Sequence, residues 1–172
     1  MKLKLSFLVL LISLLMPTTI FASQWDWASM PGHHNQSILL GDEYKNATDS
    51  IYRYARGEYL AEGTIKITNE QNGDIGIDVD TLSYVNADRI IHTVFLDVWD
   101  DINEDWVQVG YWNFEKTKAE AENGELYLLS TSITASGYGA NKYYRVRGLH
   151  GVEYHDELEA CATETNGVLI TD

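Results

Sequence analysis

Two alternating apolar segments within His92–Phe114 face each other across the connection Asp100-Asp101-Ile102-Asn103-Glu104-Asp105. Side chains alternate with period two along a strand, so slipping the pairing by one residue moves every residue to the other face. Read outward from the loop, one register sets like against like: Val98 faces Val107, Leu96 faces Val109 and Val94 faces Tyr111. The other side then pairs Trp99 with Trp106, Asp97 with Gln108, Phe95 with Gly110 and Thr93 with Trp112. A slipped pairing sets Val98 against Gln108 and drives polar groups into the core. The segment therefore predicts a β-hairpin with one aliphatic face and one aromatic face.

Residues 1–22 read as a secretory signal peptide. Lys2 and Lys4 precede the apolar stretch Leu5–Met16, Pro17 breaks it, and Ala22 is a small residue at the expected cleavage point. The stretch falls short of the ~20 apolar residues that a membrane span needs. Cleavage is expected to release the protein from the membrane into the cell exterior. It also removes two lysines, taking the net charge from −14 to about −16. Such acidity opposes nucleic acid, which is bound by Lys and Arg neutralising phosphates. Cys161 is the single cysteine, so no internal disulfide forms, and its strand-like setting predicts a buried thiol.

Residues 23–57 form an irregular N-terminal leader expected to pack on the domain, bringing Trp25, Trp27 and the apolar patch Ile38–Leu40. Within it, Asp49–Arg56 carries helix start and stop signals and predicts about two helical turns. From residue 58 to 172 the punctuation is that of an all-β domain. Ile75, Ile77 and Val79 share a face, and a phase shift at Leu82 and Tyr84 predicts a bulge or strand end. Lys116–Glu122 suits either a helical turn or a solvated crossover. Leu126–Ala135 predicts the next strand. Tyr144, Val146, His150 and Val152 share one face of another, opposite Arg145 and Arg147. Leu158–Thr163 pairs back on it, and Val168–Ile170 ends the pattern. Roughly six or seven strands without interior proline predict an immunoglobulin/fibronectin-III-like β-sandwich, with the hairpin as third strand and neighbour and a structural tyrosine in the Tyr143–Tyr154 strand.

Three constellations bear on chemistry. The acidic loop has the D-x-N-x-D spacing that opens a calcium loop, but Trp106 and Trp112 stand where an EF-hand needs Gly and Glu. A looser calcium site built from Asp97, Asp100, Asp101, Asn103 and Asp105 stays open beside a plain solvated hairpin tip. Phe95, Trp99, Trp106 and Trp112 form a candidate binding face for a protein or a glycan; alternatively the leader covers them and makes them core. The five histidines show no zinc spacing, and no nucleophile elbow or phosphate-cradling loop is present. The abundant carboxylates leave a carboxylate-dependent hydrolase as a remote alternative.

Arg56-Gly57-Glu58-Tyr59-Leu60, Asn72-Gly73 leading into Ile75-Gly76-Ile77, Trp106–Trp112, Tyr143-Tyr144-Arg145-Val146-Arg147-Gly148 with His150, and Thr163–Val168 resemble a family of small secreted bacterial proteins of Gram-positive type with no assigned function. The resemblance implies a secreted β domain and carries no catalytic residue with it. The expectation is a monomeric, non-enzymatic binding module at the cell exterior without cofactor, calcium being the open exception.

Overall fold

Along much of the described chain, buried residues alternate with more exposed ones. The computed structural model describes residues 37–52 and 59–172, and these form nine strands: β1 (Asn46–Tyr52), β2 (Leu60–Asn69), β3 (Ile75–Ser83), β4 (Arg89–Asp100), β5 (Asp105–Thr117), β6 (Leu128–Ala135), β7 (Lys142–Tyr154), β8 (Glu157–Glu164) and β9 (Val168–Ile170). All strand pairs are antiparallel. Sheet one has the order β1-β2-β3-β6 and sheet two the order β5-β4-β7-β8. β9 shares with β8 the second edge of β7. Leaving β1 aside, the chain crosses between sheets at β3–β4, β5–β6 and β6–β7, and turns back within a sheet at β2–β3, β4–β5 and β7–β8. This is the Greek-key sandwich of immunoglobulin and fibronectin-III domains, with β1 added at one edge.

The sheets face each other through two apolar clusters. In the larger, Ile65, Ile67, Ile75, Ile77 and Val79 of sheet one meet Val94, Leu96, Tyr144, Val146 and Ile170 of sheet two. The smaller gathers Leu60, Ala87, Ile90, Leu126, Val152 and Cys161, so the thiol is buried as its setting predicts. Tyr144 is the structural tyrosine of β7: it is 1% exposed and directs its hydroxyl at the carbonyls of Tyr138 and, at 2.8 Å, Gly139. It pins the β6–β7 crossover to the strand that follows.

Several sequence expectations need correction. The hairpin holds the predicted register only at its tip, where Trp99 pairs with Trp106, Val98 with Val107 and Asp97 with Gln108. A bulge then gives Val109 no partner of its own, and Leu96 pairs with Gly110, Phe95 with Tyr111, Val94 with Trp112 and Thr93 with Asn113. Gly110 shows the reason, because a β-carbon there would stand 2.7 Å from the Trp112 ring and 3.0 Å from Leu96 Cβ. Trp112 folds inward over the glycine, and the extra residue reverses the faces beyond it.

Asp49–Arg56 is not helical where it is described: β1 runs through Tyr52, pairing along its length with β2, and residues 53–58 lie outside the described segments. An isolated two-turn helix faces a nucleation penalty that pairing with an available sheet edge avoids. The boundary at 57/58 therefore falls after the first strand of the sandwich. The bulge or strand end expected at Leu82 and Tyr84 is found: β3 alternates to Ser83 and ends there, opposite a register shift in β2 between Leu60 and Glu62. Lys116–Glu122 finishes β5 and enters short 3-10 turns at Lys118–Glu120 and Glu122–Gly124. Leu126 precedes β6 and is buried in the smaller cluster instead.

Tyr144→Phe keeps the ring packed but leaves the carbonyls it serves without their donor. Urea unfolding is expected to show a loss of about 1–3 kcal/mol at unchanged m-value.

Candidate functional site

On the outer face of sheet two, β4 and β7 place Asp97 opposite Arg145, two residues along from Arg147. Asp97 is 1% exposed although it points away from the core. Its Oδ2 accepts from Arg145 Nε at 2.9 Å and Arg147 Nε at 2.7 Å, and its Oδ1 from Arg147 Nη2 at 2.9 Å. Arg145 Nη1 also donates to Glu164 Oε1 at 2.6 Å, and the Ser37 hydroxyl approaches the same oxygen at 2.5 Å. Buried charges persist only when paired and hydrogen-bonded. Here two carboxylates and two guanidiniums neutralise one another.

The guanidiniums in turn hold aromatic rings. Arg147 lies 4.9 Å over the Phe95 ring and Arg145 lies 4.7 Å over Trp106, both within cation–π range. Phe95 meets Tyr111 at a tilt with ring centres 5.5 Å apart, and Trp99 meets Trp106 edge-on at 5.3 Å. Phe95, Trp99 and Trp106 thus share the outer face, joined by Tyr111. Trp112 does not belong to this face: it packs against the larger core cluster, edge-on to Tyr138. The displacement follows from the bulge.

Part of the segment read as leader does reach this surface. Leu39 bridges Gly167 in parallel, and a β-carbon on Gly167 would stand 2.7 Å from the Trp106 ring and 3.1 Å from Leu39. Trp25 and Trp27 lie outside the described residues.

The five residues considered for calcium do not form one cluster. Asp97 is engaged by the arginines. Asp100 closes the hairpin tip, accepting from the Asn103 side chain at 2.7 Å and from the backbone of Ile102 at 2.9 Å, contacts that lower its pKa. Asp105 accepts from the Trp106 N–H at 2.7 Å, while Asp101 is exposed. Among the described residues, no group of three or more His, Cys, Asp or Glu stands close enough to hold a metal ion.

Sequence reasoning missed a second polar group, between the sheets. His92 of β4 and His150 of β7 are directly paired and fully buried. Thr81 Oγ1 links their Nδ1 atoms at 3.3 and 2.9 Å. Thr131 meets His92 Nε2 at 2.7 Å and Thr163 meets His150 Nε2 at 2.8 Å. If the single Thr81 proton goes to one Nδ1, the other Nδ1 must supply its own, so the two neutral rings take opposite tautomers. Gly63 and Gly148 make room, since a β-carbon at either would stand 2.6 or 2.9 Å from the His150 ring. The visible signal was the inward position of His150 together with the polar Thr81 at an inward position of β3.

Burial lowers the His92 pKa to about 4 despite Asp80 nearby, and burial with repulsion from His92 lowers that of His150 to about 3. The unfolded chain binds protons near pH 6.5 and the folded one does not. Stability is therefore fully present above that pH and declines as pH falls toward the folded values, by up to about 1.4 kcal/mol per pH unit for each histidine. Denaturant unfolding at a series of pH values should show this decline beginning near pH 6.5, with a shallower slope for His92→Asn.

The ion-pair group makes a separate prediction. Arg145→Met leaves Glu164 without its arginine and Asp97 with Arg147 alone, and is expected to lose about 3 kcal/mol. Arg147→Ala leaves Asp97 held by Arg145 and should lose nearer 1 kcal/mol, both read by urea unfolding.

The outer face of sheet one is different in character. Across its four strands Thr48, Lys66, Asp78 and Ser132 align in one row, and Ser50, Thr64, Asp80 and Ser130 in the next. Ser132 donates to Asp78 at 2.7 Å and Ser130 to Asp80. A groove of about 330 Å³ follows these rows.

No curated protein matches the chain. The matched region, residues 37–168, begins at the serine that meets Glu164 and ends in β9, taking in both sheet faces. The chain belongs to the family described as Family of unknown function (DUF6147).

Proposed function

We propose that this protein is a non-catalytic binding module of the cell exterior, meeting an extracellular protein partner, as a monomer, with the outer face of sheet two. The observation that carries this reading is the clamping of Phe95 and Trp106 beneath Arg147 and Arg145, both anchored on Asp97. Aromatic and arginine side chains dominate the energetics of protein interfaces. Holding such a side chain in place before contact saves about 0.5–1.5 kcal/mol of ordering on binding. Surface ion pairs contribute little stability, and buried ones often no more than apolar packing. The arrangement thus has a rationale in recognition that stability alone does not supply.

A glycan platform at the same rings has less support. Arg145 covers one face of Trp106, and the ring edge abuts Gly167 and Leu39. A sugar stacking there must first displace a guanidinium held by two carboxylates. Location outside the cytoplasm rests on the signal-like residues 1–22, and on the resemblance of the Tyr143–Gly148 motif to small secreted proteins of Gram-positive type.

Tyr111 is 54% exposed and touches Phe95, so it reports on this face without belonging to the ion pairs. A photo-crosslinking residue at Tyr111, introduced into the secreting cell, is expected to give one discrete protein adduct. The same residue at Asn72, in the β2–β3 turn, should give none. Tyr111→Lys should abolish capture of that partner with the melting temperature unchanged. Equal labelling from both positions would sink the proposal.

A further inference from the structure

The groove on sheet one offers a chemistry that sheet two does not. Successive strands lie about 4.8 Å apart, and same-face residues along a strand about 6.8 Å apart. Acceptors and donors therefore alternate at close to the dimensions of a sugar ring. Thr64 and Lys66 of β2 stand opposite Asp80 and Asp78 of β3, which in turn stand opposite Ser130 and Ser132 of β6. Asp78 and Asp80 are exposed, and each already orients one serine hydroxyl. A carboxylate has about four lone-pair sites, so each retains capacity to accept from a ligand. Beside the polar rows, Leu82 and Leu128 stand opposite each other as an exposed apolar pair, with Glu62 separating them from Tyr52. Pyranose sugars have the same division, with hydroxyls round the ring and C–H groups on its faces.

We infer that the outer face of sheet one is a glycan-binding site, taking a neutral polysaccharide chain laid along the groove. Sugar hydroxyls donate to Asp78 and Asp80 and accept from Lys66, while ring C–H faces rest on Leu82 and Leu128. Two exposed carboxylates in the groove, on a chain of net charge −14, disfavour anionic polymers. This site is independent of the protein-binding face proposed for sheet two, since it lies on the opposite side of the sandwich.

Neutral chains of this chemistry come from two sources, plain β-glucans and N-acetylated polymers. Isothermal titration with cello-oligosaccharides and with chito-oligosaccharides separates them, and alginate supplies the anionic comparison. Saturable binding to at least one neutral series, exceeding that to alginate, is expected. Asp78→Ala and Lys66→Ala should each weaken it about tenfold while melting within a few degrees of wild type. Amide shifts on titration should centre on residues 64–66, 78–80 and 130–132. Absence of binding to both neutral series overturns the inference. So does affinity untouched by both substitutions. Shifts centred on Phe95 and Tyr111 also overturn it, because they place the glycan on sheet two.

Discussion

Asp97 sets conditions that much of sheet two obeys. Its carboxylate faces outward from β4 yet is almost wholly shielded, which is tolerable only with the guanidiniums of Arg145 and Arg147 close against it. Those two arginines are on one strand at alternate positions, so β7 must present that face outward and its His150, Val146 and Tyr144 inward. The bulge in β5 begins beside Asp97, where the pairing passes from Gln108 to Gly110. Beyond it Trp112 turns into the core while Tyr111 joins Phe95 outside. One buried charge thus fixes strand orientation, ring placement and the character of an exposed face. Its contribution lies in specifying a single arrangement more than in net stability.

Between the two apolar clusters, the His92–Thr81–His150 chain poses a related problem with neutral groups. Each ring nitrogen has a hydroxyl partner, so burial removes water without leaving an orphaned donor or acceptor. The satisfaction depends on five side chains from β3, β4, β6, β7 and β8 arriving together. Losing one hydroxyl would leave an imidazole nitrogen in apolar surroundings. The histidine layer therefore couples both sheets more specifically than aliphatic contacts can, since those tolerate small shifts.

The sequence carried much of this plan, and the exceptions have physical causes. Trp99, Val98 and their partners disclosed the hairpin tip because like pairs sit opposite over a short loop. The bulge was hidden because it depends on Trp112 lying over Gly110, a tertiary contact without periodicity. β1 was hidden because Asp49, Ser50 and Tyr52 mix cap-like and polar residues, and the strand forms by taking an available edge. The structural tyrosine was legible from its place within an alternating strand. The Asp97 network was not, although both arginines were assigned to the outer face: charges that alternate with buried residues look solvated until a carboxylate from another strand arrives between them. The polar rows of sheet one were also overlooked, since each strand contributes only two or three short residues and the grid exists only after pairing.

The shared edge of β7 bears on the order in which this chain completes itself. β9 covers the first residues of β7, while Ser37 and Leu39 close against Glu164 and Gly167 nearly the full domain away in sequence. Contacts of such separation form late, because their loop-closure entropy must be met before they contribute. Until Ile170 is available, the strand bearing Tyr144, Arg145 and Arg147 lacks part of its edge, and the Asp97 cluster lacks its outer seal. Among the described residues, the sandwich is consequently completed only when the segment around Leu39 meets the one around Gly167.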